Sequence, residues 1–229
     1  MISPKAPALA LPEILPVFPL TGVLLFPGTV QLLHIFEPRY RNMVEDTLNT
    51  DGVFGMIQPF VPQQDNRPMA GAEKEKPELY SLGCAGHVEK WEKAPDGRYM
   101  IQLRGINRFR FKEELPLHRG YRRVKAVYDE FPESTLVENW HCDRKALTEA
   151  LEGYGQAHGL EVQIDQVAHF SDIELVNLLG AALPFHPAEK QALLEAASIK
   201  ARETVLIDLL RLGAGPSDSG SEVSSRTVN

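Results

Sequence analysis

The side chains that could act as nucleophiles or metal ligands lack the neighbours that such chemistry requires. Cys84 and Cys142 are far apart, so they form neither a C-x-x-C pair nor a disulfide framework. The adjacent pair His141–Cys142 could contribute to a metal site, but three or four ligands are needed and no spacing supplies them. Ser217 lies in a Gly- and Ser-rich stretch where nothing would hold a base near its hydroxyl. We therefore predict no catalytic residue, no metal ion and no cofactor.

A basic segment offers a different chemistry, the binding of phosphate groups. Residues 98–125 contain seven Arg and two Lys against two Glu, in a chain of 229 residues whose net charge is −7. The acidic balance of the whole chain disfavours a polyanionic partner, so a solvated face that pairs with nearby carboxylates is the other interpretation. The candidate residues of this face are Arg108, Arg110, Arg122, Arg123 and Lys125.

The elements that would position these residues are short strands with one early helix. Apolar or alternating runs predict strands over 15–20, 30–36, 53–57, 80–93, 99–104, 108–111 and 124–128. Glu37–Pro38 predicts the start of a helix over 38–49, because proline fits the first helical position and an anion there faces the positive helix end. Residues 58–79 contain four prolines and predict a long loop. This pattern predicts a mixed β-barrel with an inserted helix.

From residue 139 the apolar period becomes helical. It predicts helices over 142–157, 171–182 and 187–212, the second of which begins with a capping box formed by Ser171 and Glu174. The last 16 residues are rich in Ser and Gly and predict a disordered tail. We therefore predict four parts: an extended lead over 1–14, a β-domain over 15–132, a helical subdomain over 139–213 and the tail over 214–229.

Three motifs resemble the N-terminal substrate-binding domain of Lon proteases. They are Leu15-Pro-Val-Phe-Pro-Leu20, His34-Ile-Phe-Glu-Pro-Arg-Tyr-Arg41 and Asp96-Gly-Arg-Tyr-Met-Ile-Gln-Leu-Arg-Gly-Ile-Asn-Arg-Phe-Arg-Phe111. The resemblance implies an α+β protein, a PUA-like mixed β-barrel with an inserted helix and a C-terminal helical bundle, of the kind found in stand-alone Lon-domain proteins. The ATPase and Ser–Lys peptidase motifs of a Lon protease have no matching position here. We therefore expect no enzymatic activity.

The resemblance also implies binding of unfolded or exposed apolar polypeptide. The candidate peptide-binding residues are Phe36, Glu37, Arg39, Tyr40, Phe60 and Val61. The first four would supply apolar anchors and polar guides for an extended peptide, for example by strand addition at a sheet edge. In the other interpretation Phe36 and Tyr40 are core residues, Glu37 caps the helix and Arg39 pairs with a carboxylate. Phe60 and Val61 would form an apolar lip over a groove, or belong to a plain connector.

Composition places the chain among ordinary globular proteins, since 43% of its residues are hydrophobic and 24% are charged. No apolar run reaches the ~20 residues that span a bilayer, and prolines interrupt any signal helix at the N-terminus. We predict a cytoplasmic recognition protein whose partners are unfolded polypeptide and a separate protease or chaperone system. RNA binding by a PUA-like module, through the basic face, is the alternative.

Overall fold

A computed structural model describes residues 11–60, 77–128, 140–160 and 169–215 of the chain. These residues form six strands and five helices, with the turns and loops between them. The strands are β1 (Ile14–Pro19), β2 (Val30–Ile35), β3 (Val53–Ile57), β4 (Leu82–Lys93), β5 (Tyr99–His118) and β6 (Tyr121–Val127). The helices are α1 (Pro38–Leu48), α2 (Arg144–His158), α3 (Asp172–Ala182), α4 (Pro187–Glu195) and α5 (Ile199–Gly213). None of the helices in these ranges is long and apolar enough to cross a membrane.

Several sequence predictions lie outside the described residues. They concern Val61, most of the 58–79 loop, Ser217, the predicted boundary between residues 132 and 139, and nearly all of the predicted lead and tail.

The strands form one mixed sheet in the order β2-β5-β4-β3-β1-β6. The pair β1–β3 is parallel, and the other pairs are antiparallel. Because β6 also pairs with the second half of β5, the pairings run from β5 through β4, β3, β1 and β6 and return to β5. The strand β2 pairs with the first half of β5 alone, so one of its edges is unpaired within the described ranges.

The predicted strands over 99–104 and 108–111 are one strand, β5, of 20 residues. Near its middle, β5 has Gly105 where the backbone of Phe26 approaches closely, since a Cβ at that position would lie only 2.0 Å from the carbonyl oxygen of Phe26. The register of the β4–β5 pairing shifts near Gly86 of β4. The register of the β5–β6 pairing shifts between Phe111 and Glu113 of β5. Irregularities of this kind bend a strand. They allow β5 to pair with β2 and β4 first and with β6 later.

The buried apolar residues form two clusters. The smaller one comes from the five strands that close on each other and from Leu79, and it includes Leu15, Val17, Val53, Phe109 and Val124. The larger one joins the sheet to the helices, and it includes Phe26, Met43, Leu103, Leu193 and Leu206. The helices α2–α5 therefore share a core with the sheet.

The prediction of one helix over 187–212 is wrong, because the structure has two helices, α4 and α5. The backbone of Ala196 is extended, with φ −51° and ψ 128°. Ser198 then begins α5 as its N-cap, where its Oγ accepts a hydrogen bond from the Ala201 N–H at 3.1 Å. Apolar residues continue at helical spacing through the break, which is why the sequence pattern does not reveal it.

Two buried arginines bind the carbonyl groups at the end of α4. Arg108 Nη1 donates to Leu194 O at 2.8 Å and to Ala196 O at 2.6 Å. Arg202 Nε donates to Leu193 O at 3.0 Å. The carbonyl groups at a helix end need partners, and here the guanidinium groups supply them. The helix break and the two buried arginines therefore stabilise each other.

Lys190 on α4 provides a test of this packing, because it should make the free energy of unfolding depend on pH. Its Nζ donates to Gly22 O and to Ala181 O, both at 2.9 Å, and burial lowers the pKa of its ammonium group. The folded protein therefore releases this proton at a lower pH than the unfolded chain, whose lysine pKa is about 10.4. Between the two pKa values the unfolded state binds more protons, so the free energy of unfolding rises with pH, by up to about 1.4 kcal/mol per pH unit.

We expect this alkaline rise to be missing from the variant Lys190→Met. Urea unfolding of both proteins at several pH values between neutrality and about pH 10 measures the difference. Parallel pH profiles of the two proteins would contradict the prediction.

Candidate functional site

The unpaired edge of β2 presents backbone groups that no described strand uses. Just before β2, Gly105 N donates to Thr29 O at 2.9 Å. Hydrogen-bonded and non-hydrogen-bonded pairs alternate along an antiparallel ladder. In the register between β2 and β5, the N–H and C=O groups of Val30, Leu32 and His34 therefore face away from β5. This edge can accept one further extended chain.

Exposed apolar side chains stand beside this edge. Val30 is 43% exposed, Leu32 62% and Phe36 60%, and Met100 lies opposite His34 on β5 with 51% exposure. The rings of His34 and Phe36 are 6.1 Å apart. We call this set of five residues the β2 surface. Most exposed apolar residues of a soluble protein are scattered, so a group beside an open strand edge is typical of an interaction site.

The charges around the β2 surface are of both signs. Glu89 on β4 forms an ion pair with Arg104 on β5, and this hydrogen bond lowers the pKa of the Glu89 carboxyl group. A shallow depression of about 290 Å³ lies on the same surface, and its lining includes Leu32, Lys90 and Glu92. The mixed charges do not select a strongly acidic or strongly basic ligand.

The structure separates the residues of the Phe36–Tyr40 motif. Phe36 is exposed and belongs to the β2 surface, whereas Tyr40 is 7% exposed and packs edge-to-face on Phe18, with ring centroids 4.5 Å apart. Burial raises the pKa of the Tyr40 hydroxyl. Arg39 Nη2 lies 2.7 Å from Glu37 Oε2, and Glu37 precedes α1 without a side-chain capping hydrogen bond. The interpretation that both aromatic residues belong to the core is therefore correct for Tyr40 and wrong for Phe36.

Phe60 lies at a different place in the sheet. It is 45% exposed, its ring is 5.3 Å from that of Tyr80, and it follows a bridge between Pro59 and Leu79. This position continues from β3, which β4 and β5 separate from β2. The structure therefore does not bring Phe60 to the β2 surface.

The predicted basic face does not form as one exposed surface. Arg108 is 4% exposed, because the break between α4 and α5 packs on it and accepts its hydrogen bonds. Its assignment to an exposed face is wrong. The other four residues are at least partly exposed and bind nearby groups: Arg110 contacts Ser81, Arg122 contacts Glu114, Arg123 contacts Pro116 and Lys125 contacts Glu113.

Neither cysteine is placed as a nucleophile. Cys84 is fully buried. Burial and the nearby Glu203 raise the pKa of the Cys142 thiol to about 12, which keeps it protonated at neutral pH. A thiol reacts as its thiolate.

Sequence reasoning missed Val30, Leu32 and Met100. The run Val30–Phe36 is apolar at five of its seven positions, which is also typical of a strand buried on both faces. Leu33 and Ile35 pack in the core and Val30 and Leu32 do not, and no local signal in the run indicates which face of β2 is covered.

A family model described as the ATP-dependent protease La (LON) substrate-binding domain matches residues 14–211. The chain is 28% identical over 209 residues to Lon protease 2 of Myxococcus xanthus, with coverage of 87% of this chain and 24% of that protein. It is 25% identical over 204 residues to a Lon protease of Bacillus thuringiensis, with coverage of 87% and 24%. The chain thus spans about a quarter of the length of the curated relatives it matches.

Two solved structures have a similar fold. A Lon N-terminal domain protein from Xanthomonas campestris aligns with a TM-score of 0.58 and 21% identity, covering 84% of this chain and 96% of that one. The N-terminal domain of a Mycobacterium avium complex Lon protease aligns with a TM-score of 0.56 and 18% identity, covering 86% and 98%. At these identities the similarity concerns the fold.

Proposed function

This chain belongs to the Lon substrate-binding domain family, and we propose that it binds exposed apolar polypeptide in extended form by strand addition at β2. The observation that carries the proposal is the edge of β2 with which no described strand pairs, together with the apolar side chains beside it. The backbone groups of Val30, Leu32 and His34 would pair with any extended chain, so binding would tolerate many sequences. Phe36 is the residue of the predicted site that this proposal retains.

The proposal implies modest affinity for any one segment. Full burial of an apolar side chain contributes about 1.5 to 3 kcal/mol, and the side chains of the β2 surface are already partly covered in the free protein. Ordering a flexible polypeptide costs about 2 to 5 kcal/mol. Several weak contacts along one edge would therefore select long exposed segments over short ones.

We further propose that the closed pairing of β5, β4, β3, β1 and β6 is a PUA-like β-barrel to which β2 is attached from outside. In this scheme the helices form a subdomain over 139–213, after a β-domain over 15–132. The chain itself would carry out no chemistry, and a separate protease or chaperone system in the cytoplasm would act on the bound polypeptide.

Replacing Leu32 by serine tests the site. We expect Leu32→Ser to weaken binding of a fluorescently labelled, permanently unfolded polypeptide about fivefold, since partial burial of this side chain contributes about 1 kcal/mol. Fluorescence anisotropy measures the affinity. The matched control is Leu212→Ser, which removes a 78% exposed leucine from α5 and should bind as the unmodified protein does.

Two results would contradict the proposed function. One is equal binding by both serine variants. The other is salt-dependent binding of single-stranded RNA, measured in parallel at two salt concentrations, by a protein that does not bind the unfolded polypeptide.

A further inference from the structure

The edge of β2 with which no described strand pairs lacks the features that usually keep two sheet edges apart. Edge strands are commonly protected by charged side chains, by proline or by a bulge. The strand Val30–Ile35 contains no Asp, Glu, Lys or Arg and no proline. Its register with β5 is regular from end to end. An edge of this kind can pair with the same edge of a second copy of the chain.

The backbone groups of β2 allow this pairing about a two-fold axis at Leu32. The N–H and C=O groups of Val30, Leu32 and His34 face away from β5. A second, antiparallel β2 would place Leu32 opposite Leu32 and Val30 opposite His34, and each such pair exchanges two hydrogen bonds. Any other register pairs fewer of these groups. In the single chain Gln31 Nε2 donates to Leu32 O at 3.1 Å, and the Leu32 N–H of the second copy would take its place.

The side chains of β2 match in the same register. Leu32 would pack on Leu32 of the second copy, and Val30 would pack on His34 of the second copy. The position opposite Phe36 would be Gly28, which has no side chain. Phe36 can therefore reach Val30 of the second copy diagonally, as aromatic side chains do across neighbouring strands. The pairing would cover the exposed apolar side chains of β2 with those of the second copy.

The charges beside the β2 surface do not oppose the pairing. They are two of each sign and lie behind β2, with Arg104 on β5 and Glu89, Lys90 and Glu92 on β4. Neighbouring strands are about 4.8 Å apart, so the two copies of Arg104 would be separated by about 14 Å across the strands. Salt at physiological concentration screens exposed charges beyond about 8 Å. The same screening weakens the general repulsion between two chains of net charge −7.

We propose that two copies of this chain pair their β2 strands in antiparallel orientation about Leu32, which joins their sheets into one. One short strand from each copy makes a small contact, so the dimer is weak and reversible, with a dissociation constant between about 1 μM and 1 mM. The second copy uses the same backbone groups as an added polypeptide, so the dimer and the polypeptide complex exclude each other. This exclusion rests on the proposed function, and the dimer itself does not.

Sedimentation velocity of the full chain at increasing concentration tests the pairing. We expect dimers to form at concentrations up to about 1 mM. Leu32→Pro should weaken self-association at least about tenfold, because proline lacks the N–H group at the two-fold axis and obstructs the second strand. Leu212→Ser, at an exposed position of α5, is the control and should self-associate as the unmodified protein does. A protein that stays monomeric, or a proline variant that self-associates equally, would overturn the proposal.

Leu32→Cys tests the register without removing a backbone group. The Cα atoms of a hydrogen-bonded antiparallel pair are about 5.5 Å apart, within the range of about 4.4 to 6.8 Å that a disulfide bond spans. Under mild oxidation by air this variant should form cross-linked dimers at least about tenfold faster than Leu212→Cys, because pairing raises the local concentration of its thiols. The unmodified protein gives the contribution of Cys84 and Cys142. Equal rates for the two variants would overturn the proposal.

A competition experiment separates this inference from the proposed function. Addition of the unfolded polypeptide should convert the dimer into monomers that carry polypeptide. Polypeptide bound to an intact dimer would overturn the shared use of the β2 edge. A dimer that forms cross-links at position 32 but binds no polypeptide would support the pairing and refute the proposed function.

Discussion

Replacing Arg202 by methionine is expected to lower the free energy of unfolding by about 3 to 5 kcal/mol. Arg202 is 1% exposed, and besides its bond to Leu193 O its Nη1 donates to Asn177 Oδ1 at 2.6 Å. The substitution leaves both acceptors buried without this donor. Each such group costs about 1 to 3 kcal/mol.

The effect is large because Arg202 connects several elements. Its guanidinium lies over the Phe26 ring, 4.5 Å from the centroid. Asn177 on α3 in turn donates from Nδ2 to Pro27 O at 3.1 Å. One side chain on α5 thus joins α3, α4 and the segment before β2.

Urea unfolding followed by circular dichroism measures this prediction. Arg211→Met, at an exposed position of the same helix, is the matched control and should change the free energy of unfolding by no more than about 0.5 kcal/mol. Equal stability of the two variants would show that the buried contacts of Arg202 do not hold the helices to the sheet.

Replacing Leu32 by proline is expected to weaken binding of the unfolded polypeptide at least about tenfold, equivalent to about 1.4 kcal/mol. Proline lacks the N–H group that Leu32 directs away from β5, and its ring would obstruct the added strand. The ladder between β2 and β5 does not use this N–H, and proline is tolerated at edge positions of this kind. The fold should therefore remain, as a circular dichroism spectrum would show.

The comparison with Leu32→Ser isolates the role of the backbone. Serine removes the same apolar side chain but keeps the N–H group, so it should bind more tightly than the proline variant. If the two variants bind equally, the apolar side chain alone determines affinity, and strand addition at β2 is incorrect.

Much of the fold could be predicted from local patterns. The predicted strand over 53–57 matches β3, and the helix predicted over 38–49 matches α1 to within one residue. The capping box of Ser171 and Glu174 is present at the start of α3. The mixed α+β class is also confirmed. These features depend on side chains a few residues apart, whose effects on the backbone are the same in most proteins.

The candidate site could be predicted only in part. Phe36 is exposed beside an open edge, while its motif partner Tyr40 is in the core. Local alternation assigns residues to the faces of a strand, but it does not say which face is covered. That depends on what packs on the sheet: Leu33 and Ile35 of β2 are buried in the core, whereas Val30 and Leu32 on the other face are exposed.

The sequence by itself determined the family, the positions of most strands and helices, and the absence of any recognisable catalytic motif. The tertiary structure alone decided that Arg108 is buried, that the last predicted helix is broken and that β2 has an edge with which no described strand pairs, beside exposed apolar side chains. Strands and helices follow from interactions between near neighbours in the chain. Burial, open edges and cavities follow from contacts between residues far apart in the chain, and a linear pattern of residue types does not encode those contacts.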